Sequence, residues 1–257
     1  MIRAKLKAFL GHLGISLLIF LVVLYFIVFQ WYPSPFFASD GGWQGIRIIA
    51  AVDLVLGPLL TLIVYKPHKP GLKFDFSVIG IIQAGALAWG CWVVHYERPI
   101  AAVFAENFFV TVKATDMENR GLRSKELEKF GDTTPVWIYS DLPTDKEEVE
   151  KIRKDALRLG RSVHTFAEYY TTLDQAKIKK IAAKSYNMEE YLENKPIEKE
   201  KYQHFIKKHN DIKDKLIFIP WHARYIFNFI ALRSDNLEYV GTLDIVAPQP
   251  DDEQGTH

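Results

Sequence analysis

Asp53 is the sole acidic residue in an apolar run, IRIIAAVDLVLGPLLTLIVY, and its chemistry sets the first question. A carboxylate near the centre of a membrane-spanning helix costs about 2.5 to 3.5 kcal/mol on insertion scales, so something must compensate it. Asp53, Gly57 and Thr61 recur at every fourth position, which places them on one small, polar helical face. Pro58 withholds an N–H from the carbonyl one turn back and predicts a kink. Three readings fit the stripe. Asp53 is protonated or hydrogen-bonded inside its own bundle, with Tyr25 at matching depth as its partner; or the stripe docks another protein's transmembrane helix; or it conducts protons or ions, for which one acid makes a poor relay. A second run, SVIGIIQAGALAWGCWVVH, carries Gly80, Ala84 and Ala88 four residues apart, with Gly85 beside them. Its Gln83 lies level with Thr61 of the neighbouring antiparallel run. Small faces let backbones approach, either between these two runs or toward a partner, and an amide can hydrogen-bond across.

The remaining residues offer little catalytic chemistry. The chain has no G-x-G-x-x-G, P-loop, H-E-x-x-H, G-x-S-x-G or S-x-x-K sequence. His204 and His209 are five apart on a predicted helix, and His164 and His222 stand alone near predicted strand ends, so they read as surface or packing residues. Cys91 is the single cysteine, which rules out an intramolecular disulfide and a cysteine-based metal site. We therefore expect no enzyme, no cofactor and no metal. Trp221, His222, Arg224 and Tyr225 form the most functional-looking group outside the apolar runs. They read as an aromatic and arginine interface or as packing at a strand entry.

These residues must be positioned by two dissimilar parts of the 257-residue chain. Through Arg98 there are eight Lys/Arg and four Asp/Glu; beyond it there are 24 and 27. The soluble part lacks the basic excess that nucleic acid requires. Three spans are expected, at about 13–31, 46–65 and 77–95. The first, LGISLLIFLVVLYFIVFQW, is about 28 Å long as a helix, flanked by Arg3, Lys5 and Lys7 before it and Trp31 and Tyr32 after it. A cleaved signal peptide is the competing reading, but the run is long and no A-x-A site follows it. Lys66, Lys69 and Lys73 fill the second loop, whereas the first, YPSPFFASDGGWQG, has no Lys or Arg. The positive-inside rule puts the N-terminus in the cytoplasm and residues 99–247 outside, in a bacterium the periplasm.

The segment from YPSPFF through DLVLGPLLTLIVYKPHKPGLKFDFSVIGIIQAGALAWG to ERP at residue 97 resembles the type IV pilin accessory proteins of the TfpX/TfpZ family. The matching positions are Asp53, Gly57, Pro58, Leu60 and Thr61, then Lys69 and Asp75, then Gln83, Ala86, Leu87 and Gly90, then Arg98 and Pro99, within about 70 residues. The resemblance implies an inner-membrane accessory factor that binds a type IV major pilin before assembly and promotes its stability or incorporation, alongside other pilus assembly components. Arg47, Asp53, Gly57, Pro58, Thr61, Gln83, Gly80, Ala84 and Ala88 would then dock the pilin's apolar helix. Arg47 would face that helix's acid, or would simply snorkel to the interface. Trp221, His222, Arg224 and Tyr225 would meet the pilin outside the membrane. The alternatives of another class are a membrane-anchored ligand-binding or sensor module, disfavoured by the scant cytoplasmic material, and a membrane enzyme.

The outer part reads as an α/β domain with a mixed sheet. Phe108 to Ala114 alternates as a strand, and PVWIYS from Pro135 reads as another. Leu122 to Phe130 reads as a short helix. Thr144 and Glu147 form a capping box for a helix over 145–159, with Val149, Ile152, Ala156 and Leu159 on its apolar face and Gly160 ending it. Thr172 and Gln175 start another helix, through Ala183, and two shorter ones come after it around 189–193 and 199–208. Apolar runs at 216–219, 225–232 and 237–245 close the domain, the last two as a hairpin through Ser234, Asp235 and Asn236. A thioredoxin-like arrangement also fits, without the C-x-x-C needed for thiol exchange. The tail, PQPDDEQGTH over 248–257, is expected to be disordered.

Overall fold

The computed structural model describes residues 2–67, 70–118, 124–131 and 134–248. The expected tail is thus outside the described residues except for Pro248, as are Lys69 and the start of the helix expected from Leu122. The chain divides into two compact units, Met1–Arg98 and Pro99–His257.

In the first unit three helices are long and apolar enough to cross a membrane: α1 (Ile2–Trp31), α2 (Gly42–Val64) and α3 (Leu72–Tyr96). All three begin earlier than hydropathy alone places them, α3 by five residues at Leu72. α1 continues back through Lys7, Lys5 and Arg3, because about three further turns keep backbone groups hydrogen-bonded while long basic side chains reach toward water. α2 starts at Gly42, a turn before the apolar run, on a left-handed Gly41 with φ 112°. The disturbance expected from Pro58 takes the form of a π-helical stretch over Ala51–Leu56, ending just before Gly57 and carrying Asp53. Proline cannot donate to the carbonyl four residues back, and a widened turn is a common accommodation. Ile27, Tyr32, Ile46 and Ile49 form the buried core of this unit, with Leu24, Leu87 and Val94 packed against them. Gly45 permits close approach there: a Cβ on it would stand 2.9 Å from Val94 Cγ2.

The second unit is built on a seven-stranded mixed sheet in the order β4-β3-β1-β2-β5-β6-β7. The strands are β1 (Pro99–Ala105), β2 (Phe108–Lys113), β3 (Val136–Ser140), β4 (Tyr170–Thr171), β5 (Leu216–His222), β6 (Phe227–Arg233) and β7 (Tyr239–Val246). β1 runs parallel to β3, β2 runs parallel to β5, and the other pairs are antiparallel. β1 is central, buried at every position, and was not expected from the sequence. Its run PIAAVFA shows no alternation because both faces are covered. It turns into β2 through Glu106 and Asn107, both at positive φ (50° and 72°), the geometry of a two-residue hairpin.

Besides a short helical turn at Ala114–Glu118, four helices accompany the sheet among the described residues: α4 (Lys146–Arg158), α5 (Gln175–Ala182), α6 (Met188–Tyr191) and α7 (Pro196–Lys208). The cap of α4 is Asp145, whose carboxylate accepts from the N–H groups of Glu147 and Glu148, in place of the expected Thr144. Asp174 likewise caps α5 in place of Thr172. In both, the carboxylate sits at the position from which an oxygen reaches the free N–H groups, and its charge suits the helix dipole. On the apolar face of α4, Ile152 and Ala156 are buried but Leu159 is exposed, since the helix ends there at left-handed Gly160. Both sheet edges are blunted. β4 has two residues, and two carbonyls of β7 accept from side chains, Val246 O from Tyr191 Oη at 3.0 Å and Asp244 O from Lys201 Nζ at 3.0 Å.

Candidate functional site: a polar seam, an open helix face and an outer groove

Asp53 faces the interior of the three-helix unit and is 5% exposed. Its Oδ1 accepts from Ser16 Oγ at 3.2 Å and from Gln83 Nε2 at 3.3 Å, so all three helices meet on one carboxylate oxygen. Its Oδ2 has no hydrogen-bond partner among the described residues. Toward the other end of the same face, Thr61 Oγ1 is hydrogen-bonded to His12 Nδ1 at 2.5 Å. Gly57 lies between them against Gln83, and a Cβ there would overlap the Gln83 amide. The expected Tyr25 partner is not used. Tyr25 is 53% exposed and packs on Phe26 and Phe29. Because α2 begins a turn earlier and runs π-helical at Asp53, the carboxyl comes level with Ser16, nine residues nearer the start of α1. Asp53, Gly57, Pro58, Thr61 and Gln83 are therefore engaged within the unit and do not form an open face.

Gly80, Ala84 and Ala88 behave oppositely. All three are exposed on α3, and a Cβ on Gly80 would meet nothing within 4 Å. Gly80 also borders a cleft of about 340 Å³ between α1 and α3, lined by Ala8, Gly11, His12, Ile15, Thr61 and Ile79 among others. Arg47 points outward from the first half of α2, its guanidinium 5.9 Å from the Trp43 ring centre.

In the second unit the predicted aromatic and arginine group divides. Trp221 is 0% exposed, donating Nε1–H to Thr111 Oγ1 at 3.0 Å, and is a core residue. Tyr225 and Arg224 are exposed in the turn between β5 and β6. His222 joins a different set. Phe108 is flanked by the rings of His164 and His222, with centroids at 4.7 and 4.6 Å. These three rings line a groove of about 330 Å³ whose rim carries Glu106, Arg153, Leu157 and Arg161. His164 Nε2 lies 3.2 Å from the Ala105 carbonyl, which can only accept, so that nitrogen carries the proton and Nδ1 accepts from Ser162 Oγ at 3.2 Å. Burial takes the His164 pKa down to about 4, against the upward pull of backbone hydrogen bonds at Ala105 and Phe108. His222 is also lowered by burial.

No family profile and no solved structure matches the chain. Relatives do: fimbrial assembly proteins of Dichelobacter nodosus from serogroup E1, serogroups C1 and C2, and serogroup I, each 36% identical over 96 residues, or 36% of this chain. The matched stretch is 72% of the protein from serogroups C1 and C2. The chain belongs to the family of fimbrial assembly proteins. Against the proteins of serogroups E1 and I it matches little more than a third of their length, 37% in each case. Two features of this family member escaped sequence reasoning. Ser16 is the only strongly polar residue besides Gln30 in the run 13–31, a signal that could have marked it as the partner of Asp53. The groove around Phe108 brings together residues from β2, β5 and the segment after α4, and nothing in their spacing marks them.

Proposed function

We propose that this fimbrial assembly family member is a non-enzymatic accessory factor of type IV pilus biogenesis, of the TfpX/TfpZ kind. It sits in the bacterial inner membrane with α1–α3 as spans, its N-terminus in the cytoplasm and its second unit in the periplasm. It holds a type IV major pilin before assembly, and so promotes the pilin's stability or incorporation. Family membership supports the pathway, and the basic second loop supports the orientation.

The observation that carries pilin binding is the open face of α3. The polar stripe of α2 is consumed inside the unit, whereas Gly80, Ala84 and Ala88 lie exposed beside a cleft bordered by Gly11. A small-residue face of this kind admits the backbone of another helix. An apolar pilin helix fits it, and the outward Arg47 is available for that helix's acidic residue. In-cell photocrosslinking from Ala84 and Arg47 tests this reading: pilin adducts are expected from Ala84, lost when Gly80 is replaced by Leu. Absence of pilin adducts at both positions, with the protein present at normal level, rejects it.

A further inference from the structure

Along one side of the three-helix unit, an apolar cleft ends in basic residues. At one end of the unit α1 and α3 are joined: the Trp31 and His95 rings lie 5.1 Å apart, and Tyr32 Oη donates to Val94 O at 2.9 Å. Toward the other end each packs on the second half of α2 and barely on the other, which leaves the cleft of about 340 Å³ between them. Its walls are Ala8, Gly11 and Ile15 of α1 and Phe76, Ile79 and Gly80 of α3. The polar groups in it, His12 and Thr61, are hydrogen-bonded to each other at 2.5 Å, and Thr61 is 3% exposed. The hydroxyl and one ring nitrogen are thus already matched, and the rest of the lining is hydrocarbon.

The mouth of the cleft is cationic. Lys5, Ala8 and His12 follow at i, i+3 and i+7 on α1, and Lys73, Phe76 and Gly80 do so on α3, so a lysine stands at the end of each wall. The Lys5 ammonium reaches Ile63 O at 3.5 Å, two residues from Thr61, which holds it at that end. An ammonium has three donors, so two remain. Lys73 is exposed, and its ammonium has no hydrogen bond or ion pair to any described residue. Asp75, the acid of this stretch of α3, comes two residues later and so lies about 200° around the helix from Lys73.

We propose that the cleft holds one acyl chain of an anionic phospholipid, with the headgroup phosphate between Lys5 and Lys73. This rests on the reading of α1–α3 as membrane spans. An unfilled apolar cleft forfeits dispersion contacts on both walls, and an acyl chain restores them without asking for a hydrogen bond. The lysines select the headgroup, because a zwitterionic lipid brings its own cation to the mouth and an anionic one does not. Ala84 and Ala88 do not line the cleft and stay open to the pilin helix.

The full chain in phosphatidylcholine nanodiscs tests this, with a small fraction of phosphatidylglycerol that carries a diazirine in its acyl chain. Photolysis and mass spectrometry should place the adducts within residues 8–15 and 76–80. Gly11→Leu should cut them roughly tenfold, because a Cβ there meets nothing within 4 Å and the leucine enters the cleft without displacing a neighbour. Gly14→Leu, equally open but outside the cleft, should leave them unchanged. Lys5→Gln combined with Lys73→Gln should lower them by about tenfold or more, and the same diazirine on phosphatidylcholine should label the cleft weakly. Adducts spread evenly over the three helices would mean an annular lipid shell alone and overturn the proposal. Labelling indifferent to Gly11→Leu or to the two lysines would overturn it too, and so would loss of the adducts on adding purified pilin, which gives the cleft to the pilin helix. No adduct on any of the three helices would overturn the reading of them as spans as well.

Discussion

His164 is held neutral by its surroundings: the Ala105 carbonyl, the Ser162 hydroxyl and the Phe108 ring leave no room for hydration of an imidazolium. Its pKa is about 4 in the fold, against 6.5 for the free side chain. Between those values the unfolded chain binds more protons than the folded one. Stability is therefore complete above the unfolded pKa and is lost as pH falls toward the folded one. With each pH unit worth about 1.4 kcal/mol, urea unfolding of the second unit should show a loss of about 2 kcal/mol between pH 7.5 and pH 5. His222, shifted the same way, adds to it. His164→Gln, which cannot ionise, should remove most of that difference, and an undiminished loss would assign the acid sensitivity elsewhere. Asp53 poses the complementary problem. Its type and depth announce a buried polar contact in the sequence, but the donors come from Ser16 and Gln83, on two other helices, and only their packing selects them.

At the scale of elements, local chemistry was readable where the partner lies within a few residues. Gly160 ends α4 as expected, and the Asp/Asn/Ser turn joins β6 to β7 as expected, with Arg233 N–H bonding Glu238 O at 2.9 Å across it. The caps were misplaced by one residue at α4 and two at α5, because Thr and Asp are both competent caps and adjacent candidates compete. Asp145→Ala should therefore destabilise the second unit by about 1 kcal/mol, while Thr144→Ala changes it by a few tenths at most, both measured by urea unfolding. The reverse order would restore the threonine as the cap. β1 was illegible for a different reason. A strand covered on both faces has no period to detect, and its Ala-rich sequence carries little β propensity.

At the scale of the whole molecule, each unit has buried clusters of its own. Among the described residues, Ile27, Tyr32, Ile46 and Ile49 cluster within the first unit, and Ile100, Ile138, Ile152, Phe218 and Phe229 belong to clusters within the second. A fragment beginning at Pro99 should accordingly be soluble without α1–α3 and unfold in a single cooperative transition by circular dichroism. An aggregated or non-cooperative fragment would mean that the second unit depends on the first.

The sequence by itself determined the division of the chain near residue 98, the three apolar helices and the mixed α/β character of the second unit, because hydropathy, periodicity and turn residues act over short distances. Only the tertiary structure decided which polar and small residues are free. Asp53, Gly57 and Thr61 share one spacing with Gly80, Ala84 and Ala88, yet the first set is closed against α1 and Gln83 while the second faces outward. Spacing places residues on a common face; which face is covered depends on the rotation of each helix against its neighbours. That rotation is set by contacts between residues dozens of positions apart.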